Sequence, residues 1–535
     1  MYIRKKKNQS GSYSVVLCVG ERTQGKKHPI SKALKSFGAT TDEKELKGLL
    51  REAEAYKQKL LAISPQVKTL KINGDADINS CFSYNVGYAD VYGAAFTNIF
   101  TSLNLKEDIL NKLRDLVIMR IANPCSKRRT SIIAPNYGLE FNVNNIYKLM
   151  DKLNKSVIMD MKKQAYHHTV KLLEHHKQSV DILFYDLTTI HFETNSQDEL
   201  RDFGFSKDGK HQHVQIVLSA IVTKEGLPID YEEFVGCTFE GHTLIPVINK
   251  LKQNYKINNV VIVADAALMN KVNLTELNNL GIKYIISARI KNSSKQLQSQ
   301  ILNNNGYTTL YDSCNSNTGE IDCIKSKTIV CSEDTLIAYY SSKRARKDYH
   351  DRESDLEKIN KHLASSAKSK LTSRLRKPYI TLTKDCKLEI DYNKFEKEAQ
   401  YDGYFAFRTN INNPDAKEIL TSYRGLWQIE QTFRIAKTNL DIRPVFHYTP
   451  RRIRAHFAIC YAALALIRHV EYTLKCKGVS ITFEQMHLML ERMRKVKIQD
   501  SNNHSFELLE DPPLELIKIY QALNISWHKK FKFTI

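Results

Sequence analysis

The chain has 535 residues, which is too long for one ordinary hydrophobic core and predicts two to four domains. Hydrophobic residues make up 42% and charged residues 26%, a balance that excludes a mainly disordered chain. The 80 lysines and arginines outnumber the 58 acidic residues, for a net charge of +22. Such a surface favours a polyanionic partner, above all nucleic acid, and a basic protein without that partner is the alternative.

The cysteines and the apolar runs indicate the compartment. Ten cysteines are spaced irregularly and form no C-x-x-C pair, so neither a zinc site nor a disulfide scaffold is predicted. No apolar run of signal-peptide length follows the basic start MYIRKKK. The longest apolar stretch, AICYAALALI at 458–467, is too short to cross a bilayer and predicts a buried core helix. We expect a cytoplasmic, nucleoid-associated protein with no membrane partner.

The N-terminal region, 1–176, combines a short strand with helices. Residues alternate as in a strand around Tyr13–Val19, and a charged helical run follows near 42–62. Over 84–176 apolar residues recur at helical spacing, as in KEDILNKLRDLVIMRIANPCSKRRT, where three cations close the run. We predict a mostly helical, DNA-binding region, with a plain helical scaffold as the alternative.

Strands alternate with helices over 177–292, a pattern that predicts an α/β core. Two apolar runs, DILFYD and NNVVIVAD, each end in an aspartate, and the segment between them has the strand–turn–strand pattern of an antiparallel meander. A helix with a C-terminal glycine and the strand YIISAR follow. The same pattern resumes over 401–475, and a mostly helical region, 476–535, ends the chain.

A segment of different composition, 293–400, interrupts this core. Its first part is rich in asparagine and serine and contains short strands such as TLIAYYS. The stretch from Lys343 to Lys377 then holds twelve Lys or Arg against five Asp or Glu. We predict a β-rich, basic insertion whose charged run faces DNA, and a solvated helix is the alternative for that run.

Two aspartates stand where strands end. Asp186 closes the run DILFYD, and Asp265 closes NNVVIVAD. Residues just beyond the carboxyl ends of strands form the usual site crevice of an α/β sheet. Two carboxylates there can share a hard cation such as Mg²⁺, although an aspartate after a strand is by itself a common feature.

The segment YRGLWQIEQTFRIAKTNL, 423–440, has two faces if it forms one helix. The apolar face comprises Leu426, Ile429, Phe433, Ala436 and Leu440. The polar face comprises Tyr423, Glu430, Arg434 and Lys437. An acid flanked by cations and a phenol suits phosphoryl transfer, whereas a solvated face with an i,i+4 Glu–Arg pair is the alternative.

These motifs together resemble one family. YDLTTIHFE, GFSKDGK, GLPIDYEEFVG, VADAAL, YRGLWQIEQTFRIAK and RPVFHYTPRRIRAH look like segments of bacterial insertion-sequence transposases of the DDE class, those with a β-rich insertion between the second Asp and the Glu. The resemblance covers most of 181–475. It implies an RNase H-like core, a mixed sheet with flanking helices, in which Asp186, Asp265 and Glu430 are the catalytic triad and hold two Mg²⁺ or Mn²⁺ ions.

The family signature around the glutamate is Y-x₂-R-x₃-E-x₆-K, and this chain departs from it at one position. Tyr423, Glu430 and Lys437 match, but Leu426 stands where the arginine is expected. Arg434 is the candidate for the missing cation, because it shares the polar face with Glu430.

The resemblance also suggests which side chains touch DNA. Tyr423, Arg434 and Lys437 would hold terminal phosphates. Trp427 would stack on a flipped base or else belong to the core. Lys207, in the turn of GFSKDGK, would contact a phosphate or simply be solvated.

The implied function is cut-and-paste transposition. Such an enzyme cleaves double-stranded DNA at the terminal inverted repeats of its element and joins the freed 3′ ends to target DNA, working as a homodimer in a synaptic complex. Two alternatives remain open at this stage: an RNase H-like nuclease that cuts DNA by its structure, and an inactive DNA-binding relic.

Overall fold

The computed structural model describes residues 2–8, 11–21, 30–63, 78–205, 209, 212–257, 259–268, 270–314, 321–364, 379–382, 388–500, 505–526 and 532–534. The chain divides into two compact units. The first unit comprises Met1–Val91, Ile133–Glu140 and Thr473–Ile535, and the second comprises Tyr92–Ile132 and Phe141–Tyr472. The domain boundaries given above stay a prediction.

An antiparallel three-stranded sheet opens the first unit, in the order β1-β2-β3. One helix, α1, packs on it through Leu46 and Ala53, which meet Val15 of the sheet. The predicted strand and the predicted helix near 42–62 are both present. The bounds are β1 (Tyr2–Lys7), β2 (Tyr13–Glu21), β3 (Ile30–Thr40) and α1 (Glu43–Ile63).

A second sheet of the first unit joins its N-terminal and C-terminal segments. Its order is β18-β17-β16-β4, all antiparallel. The prediction of mostly helical terminal regions missed these strands, although KVKIQ within β16 alternates as a strand should. The bounds are β4 (Ile78–Asn85), α15 (Phe483–Leu490), β16 (Arg494–Asp500), β17 (Ser505–Leu509), α16 (Leu514–Ala522) and β18 (Lys532–Thr534).

Helices fill most of the chain between β4 and the large sheet of the second unit, as predicted for 84–176. Asparagines begin two of them: Asn142 accepts a hydrogen bond from Asn144 N, and Asn154 accepts one from Val157 N. The bounds are α2 (Gly87–Ile99), α3 (Glu107–Ala122), α4 (Lys127–Ile133), α5 (Val143–Lys152) and α6 (Lys155–His175).

The second unit is built on a mixed nine-stranded sheet in the order β10-β11-β12-β15-β9-β8-β5-β6-β7. Strand β8 is parallel to both β5 and β9, and the other pairs are antiparallel. The bounds are β5 (Ile182–His191), β6 (Gln215–Thr223), β7 (Pro228–Val235), β8 (Val261–Ala264), β9 (Lys283–Ala288), β10 (Thr308–Cys314), β11 (Ile321–Val330), β12 (Thr335–Ser341) and β15 (Tyr404–Thr409).

The strands of the predicted insertion continue this sheet. β10, β11 and β12 join it through β15, which follows them in the sequence. A separate hairpin, β13 (Ile380–Leu382) with β14 (Leu388–Ile390), lies in the same segment. The charged run forms a helix, α10 (Ser342–Ala364), as far as the described residues extend.

Helices cover both faces of the sheet. Side chains alternate along β5, so Leu183 and Tyr185 pack with α7 and α8, whereas Phe184 packs with α12 and α13. Each fully buried Leu or Phe in these layers contributes about 1.5–3 kcal/mol to stability. The helices are α7 (Leu244–Tyr255), α8 (Lys271–Asn279), α9 (Lys295–Leu302), α11 (Tyr392–Ala399), α12 (Ala416–Arg424), α13 (Trp427–Arg434) and α14 (Pro450–Cys476).

Helix α14 contains the apolar stretch that was predicted to be a core helix. By length and composition alone it could cross a membrane, but 94% of its apolar window is buried inside the protein. Core helices commonly pass the same test of length and composition. The burial therefore agrees with the core helix predicted from the sequence.

Candidate active site

Asp186 and Asp265 occupy matching positions on two neighbouring parallel strands. Tyr185 of β5 pairs with Ala264 of β8, so each aspartate is the residue that comes next. Asp265 follows the end of β8 as predicted, but the prediction that a strand ends at Asp186 is wrong, because β5 stays paired with β6 as far as His191. Neighbouring strands lie about 4.8 Å apart. The preceding Phe184 and Val263 pack beneath α12 and α13. Side chains two residues apart along a strand point to the same face of the sheet. Both carboxylates therefore lie on the face that these helices cover.

A backbone amide orients each of the two carboxylates. Leu187 N donates to Asp186 Oδ1 at 2.7 Å, and Ala266 N donates to Asp265 Oδ1 at 2.6 Å. Asp186 is half-buried and Asp265 is exposed. A hydrogen bond from the next backbone amide therefore orients both side chains.

Glu430 reaches this face from α13, which packs against β5 and β6. Ile429 and Phe433 anchor the helix in the core, and Glu430 is exposed beside them. Glu430 and the two aspartates all act on the pKa of Tyr423.

Burial is the main reason why the pKa of the Tyr423 phenol rises to about 12, and a side-chain hydrogen bond with Ser287 opposes the shift. Asp265, Glu430 and Asp186, in that order, then raise this pKa further through their negative charges. The charges of all three predicted catalytic acids therefore act on the Tyr423 hydroxyl, which keeps its proton at neutral pH.

The three carboxylates fit a divalent metal by their chemistry. Carboxylate oxygens are the hard donors that Mg²⁺ and Mn²⁺ prefer. Within the described residues, no three Asp, Glu, His or Cys side chains are grouped closely enough to hold one ion. The donor set thus suits such an ion in kind.

The segment 423–440 is not one continuous helix, so that prediction is corrected. Helix α12 ends at Arg424, α13 begins at Trp427, and a π-helical turn, Ile435–Asn439, follows. The apolar face is nevertheless real: Ile429, Phe433, Ala436 and Leu440 are buried, and Leu426 is partly buried. Tyr423 and Glu430 belong to different helices, and Lys437 lies in the π-helical turn.

Gly425 at the α12–α13 junction allows these helices to lie against the sheet. A Cβ atom at this position would stand 2.5 Å from Phe184 Cζ, two residues before Asp186. The backbone there is ordinary right-handed helix, with φ −65° and ψ −11°, so the contact alone requires glycine. The glycine therefore sets the height of Tyr423 and Glu430 above the strand that carries Asp186.

We expect Gly425→Ala to slow DNA cleavage by roughly tenfold to a hundredfold, because a shift of about 1 Å in a catalytic group has this effect. DNA binding should be retained. Gly93→Ala in α2 is the matched control, since its Cβ would meet only Ile118 Cδ1 at 3.7 Å. Adding Phe184→Leu should restore part of the lost rate, and a fully active Gly425→Ala variant would show that this contact does not position the site.

The remaining predicted DNA contacts occupy different surroundings. Arg434 is exposed one turn after Glu430, and Lys437 is half-buried. Trp427 is 54% exposed at the start of α13, so it is not a core residue. Lys207 lies outside the described residues. The DNA contacts of all four residues stay predictions.

A cleft of about 850 Å³ adjoins Tyr423, and the sequence reasoning missed it. Tyr423 lines the cleft and stacks on Phe407, with ring centroids 4.1 Å apart. Ser287 and Arg289 line it from the end of β9, whose run YIISAR was a signal that could have found them. The cations of the cleft are Arg289, Lys291, Arg344, Arg352 and Arg424.

A comparison with known families gives a match over most of the second unit. The family model described as Transposase DDE domain matches residues 178–466, more than half of the chain. The chain therefore belongs to this family and is a transposase. No curated protein matches the chain.

Two solved transposase structures are similar to the chain to a small degree. The synaptic complex of piggyBac transposase with hairpin DNA matches at 9% identity and a TM-score of 0.38, over 75% of this chain and 76% of that one. The paired-end complex of Mos1 transposase with the left transposon end matches at 12% identity and a TM-score of 0.15, over 32% and 57%. Both scores are below 0.5, so neither likeness bears on the fold.

Proposed function

We propose that this transposase cleaves DNA at the ends of an insertion sequence and joins those ends to target DNA, with Asp186, Asp265 and Glu430 holding two divalent metal ions. The convergence of the three carboxylates on Tyr423 carries the proposal. The neighbouring places of Asp186 within β5 and of Asp265 just after β8 support it, because ligands of open α/β sheets bind near the carboxyl ends of parallel strands.

The strand order supports an RNase H-like core, which we include in the proposal. An antiparallel meander, β5-β6-β7, is followed by β8 and β9, which run parallel to β5 on its other side. This arrangement brings the first two acids together on adjacent strands. The third acid arrives later in the sequence, on a helix that packs over the same face.

The chain's own residues would position and hold the reacting DNA. When bound, two ions activate a water or a 3′-hydroxyl and stabilise the leaving oxygen. Tyr423 keeps its proton at neutral pH, so its hydroxyl donates a hydrogen bond to a phosphate oxygen. Lys437 follows Glu430 by two turns and neutralises phosphate charge. Trp427 presents an exposed aromatic face to an unstacked base.

Two arginines are candidates for the cation that Leu426 cannot supply. Arg434 follows Glu430 on α13 and is exposed. Arg424, the last residue of α12, lines the cleft beside Tyr423.

The proposed partners follow from the reaction. They are double-stranded DNA with the terminal inverted repeats of the element, and a target DNA. We also propose a homodimer that bridges two ends, and a cytoplasmic, nucleoid-associated location.

The experiment that tests this function maps the cuts made in DNA that carries the element's own ends. With Mg²⁺ or Mn²⁺ we expect strand cleavage at the element boundary, and with a chelator in excess we expect binding without cleavage. DNA with scrambled ends is the matched control. Cuts at branched or distorted DNA, whatever the ends, would favour the structure-selective nuclease, and binding without any metal-dependent cut would favour the inactive relic.

A further inference from the structure

Two cationic side chains of the second unit are buried without an acidic partner among the residues that the structure describes. Lys127 of α4 is 3% exposed and Arg120 of α3 is 5% exposed. His447 and His456, both buried, complete what we call the cationic pocket, with ring centroids 5.6 Å apart. Lysine and arginine are almost never this buried unless they are paired.

The contacts of Arg120 leave one of its donors without an acceptor. Its guanidinium donates to Leu440 O at 3.4 Å and to Cys125 O at 3.0 Å. Its Nε–H is buried and has no acceptor in the described structure. Leu440 O lies at the end of the π-helical turn that follows Glu430, so the pocket is joined to the helix of the active site.

Lys127 has cationic and neutral neighbours rather than an acid. Burial lowers the pKa of Lys127, the positive charge of Arg120 lowers it further, and Cys460 and Cys125 oppose these effects. Within the described residues neither Lys127 nor Arg120 forms an ion pair. Asp441 feels the charge of Arg120, but this acid is exposed.

The two histidines add donors and acceptors without adding charge. Burial, Lys127 and Arg120 lower the pKa of His447 to about 3, so it is neutral near pH 7. The Nε2 atom of His456 donates to Ile442 O at 3.1 Å, which leaves its Nδ1 as an acceptor. The pocket therefore contains a buried lysine and a buried arginine, and none of the described acids pairs with either of them.

Another buried lysine in the same unit shows how this chain balances such a charge. Lys162 is 4% exposed, and its Nζ lies 2.8 Å from Asp230 and 3.4 Å from Glu232. A buried cation without a partner is strongly unfavourable, so an anion would be stabilised beside Lys127 and Arg120, which no acid among the described residues balances.

We propose that the cationic pocket binds a phosphate group, with Lys127 and the free Nε–H of Arg120 as its main donors. A phosphate supplies both the negative charge and the several acceptor oxygens that these donors lack. Exposed Phe446 (60%) and Tyr448 (74%) flank His447, so the pocket lies directly behind an exposed surface. The phosphate is either inorganic or part of a DNA backbone, and the second source rests on the proposed function.

The first arm of the test uses inorganic phosphate and the full-length protein. The thermal midpoint is compared in phosphate and in chloride at equal ionic strength. We expect phosphate to raise the midpoint of the wild type in a saturable way, to raise that of Lys127→Arg less, and not to raise that of Lys127→Met. Lys162→Met is the matched control, because it removes a buried lysine elsewhere and should keep the response to phosphate.

The second arm measures binding of element-end DNA at increasing salt. If a DNA phosphate occupies the pocket, Lys127→Met should weaken binding by about tenfold, and the slope of log K against log salt should fall by about 0.9. Phosphate stabilisation with an unchanged DNA slope would assign the pocket to free phosphate. A wild type that responds like Lys127→Met in both arms would overturn the proposal. Neither arm requires cleavage, so a failure of the proposed catalytic function remains distinguishable.

Discussion

Replacing Glu430 with glutamine should slow metal-dependent DNA cleavage by a factor on the order of a thousand or more, while DNA binding persists. Glutamine keeps the size of the side chain but removes the charge that an ion at this site requires. Since Glu430 is exposed on α13 and makes no core contact of its own, the fold should be unaffected. Single-turnover cleavage of element-end DNA with Mg²⁺ measures the effect.

Glu418→Gln provides the matched control for that experiment. Glu418 is an exposed acid on the neighbouring helix α12, and the same loss of charge there should leave the cleavage rate within about twofold of the wild type. If Glu430→Gln cuts at the wild-type rate, Glu430 is not a metal-holding residue and the proposed triad is wrong.

The largest effect on stability is expected from Lys162→Met, which should lower the free energy of unfolding by about 3–5 kcal/mol. The substitution leaves the buried Asp230 without its cation and leaves Glu232 with Lys250 alone. Asp230 would keep only its hydrogen bonds, among them one from Tyr255 OH at 2.8 Å. Urea unfolding followed by circular dichroism measures the change at neutral pH.

The acidic neighbours of Lys162 also determine how this loss depends on pH. Burial raises the pKa of Asp230, and Lys162 opposes that shift. Without Lys162 the pKa of Asp230 in the folded state rises further above its unfolded value. A group of this kind favours the folded state as it gains its proton, so the deficit of Lys162→Met should shrink as the pH falls from neutral.

Lys250→Met is the control for the buried lysine. Lys250 also pairs with Glu232, but its side chain is 49% exposed. An exposed ion pair contributes about 0–1 kcal/mol, so this variant should unfold close to the wild type. Equal losses in the two lysine variants would show that burial does not set the strength of these ion pairs.

The sequence was sufficient to predict the two strands beside which Asp186 and Asp265 were placed. The runs DILFYD and NNVVIVAD are short, apolar and closed by an aspartate. Such a run indicates a buried strand even when the neighbouring strands of the sheet are not known. The register of Tyr185 with Ala264 then follows from the pairing of the two strands.

The helix-borne part was harder to predict because distant contacts decide it. Apolar residues recur through 426–440 at regular helical spacing, so nothing local marks the junction at Gly425. Phe184, far away in the sequence, fixes how closely that junction approaches the sheet. The cleft beside Tyr423 depends on the resulting break and was therefore missed.

Burial of Lys127 was also invisible in the sequence. The run Lys127–Arg129 has the composition of a solvated helix end, and the next two residues, Arg128 and Arg129, are indeed exposed. Which of three adjacent cations turns inward depends on the packing of α3, α4 and α14. Composition alone cannot distinguish them.

The way in which the insertion joins the large sheet limits how the chain can be shortened. β12 covers one side of β15 by pairing with it from Thr335 to Tyr340, and β10 and β11 extend the sheet beyond it. If this segment were deleted, the unpaired N–H and C=O groups of β15 would form a bare edge strand. Such an edge recruits strands from other molecules, so a trimmed enzyme would be prone to aggregation even with every catalytic residue in place.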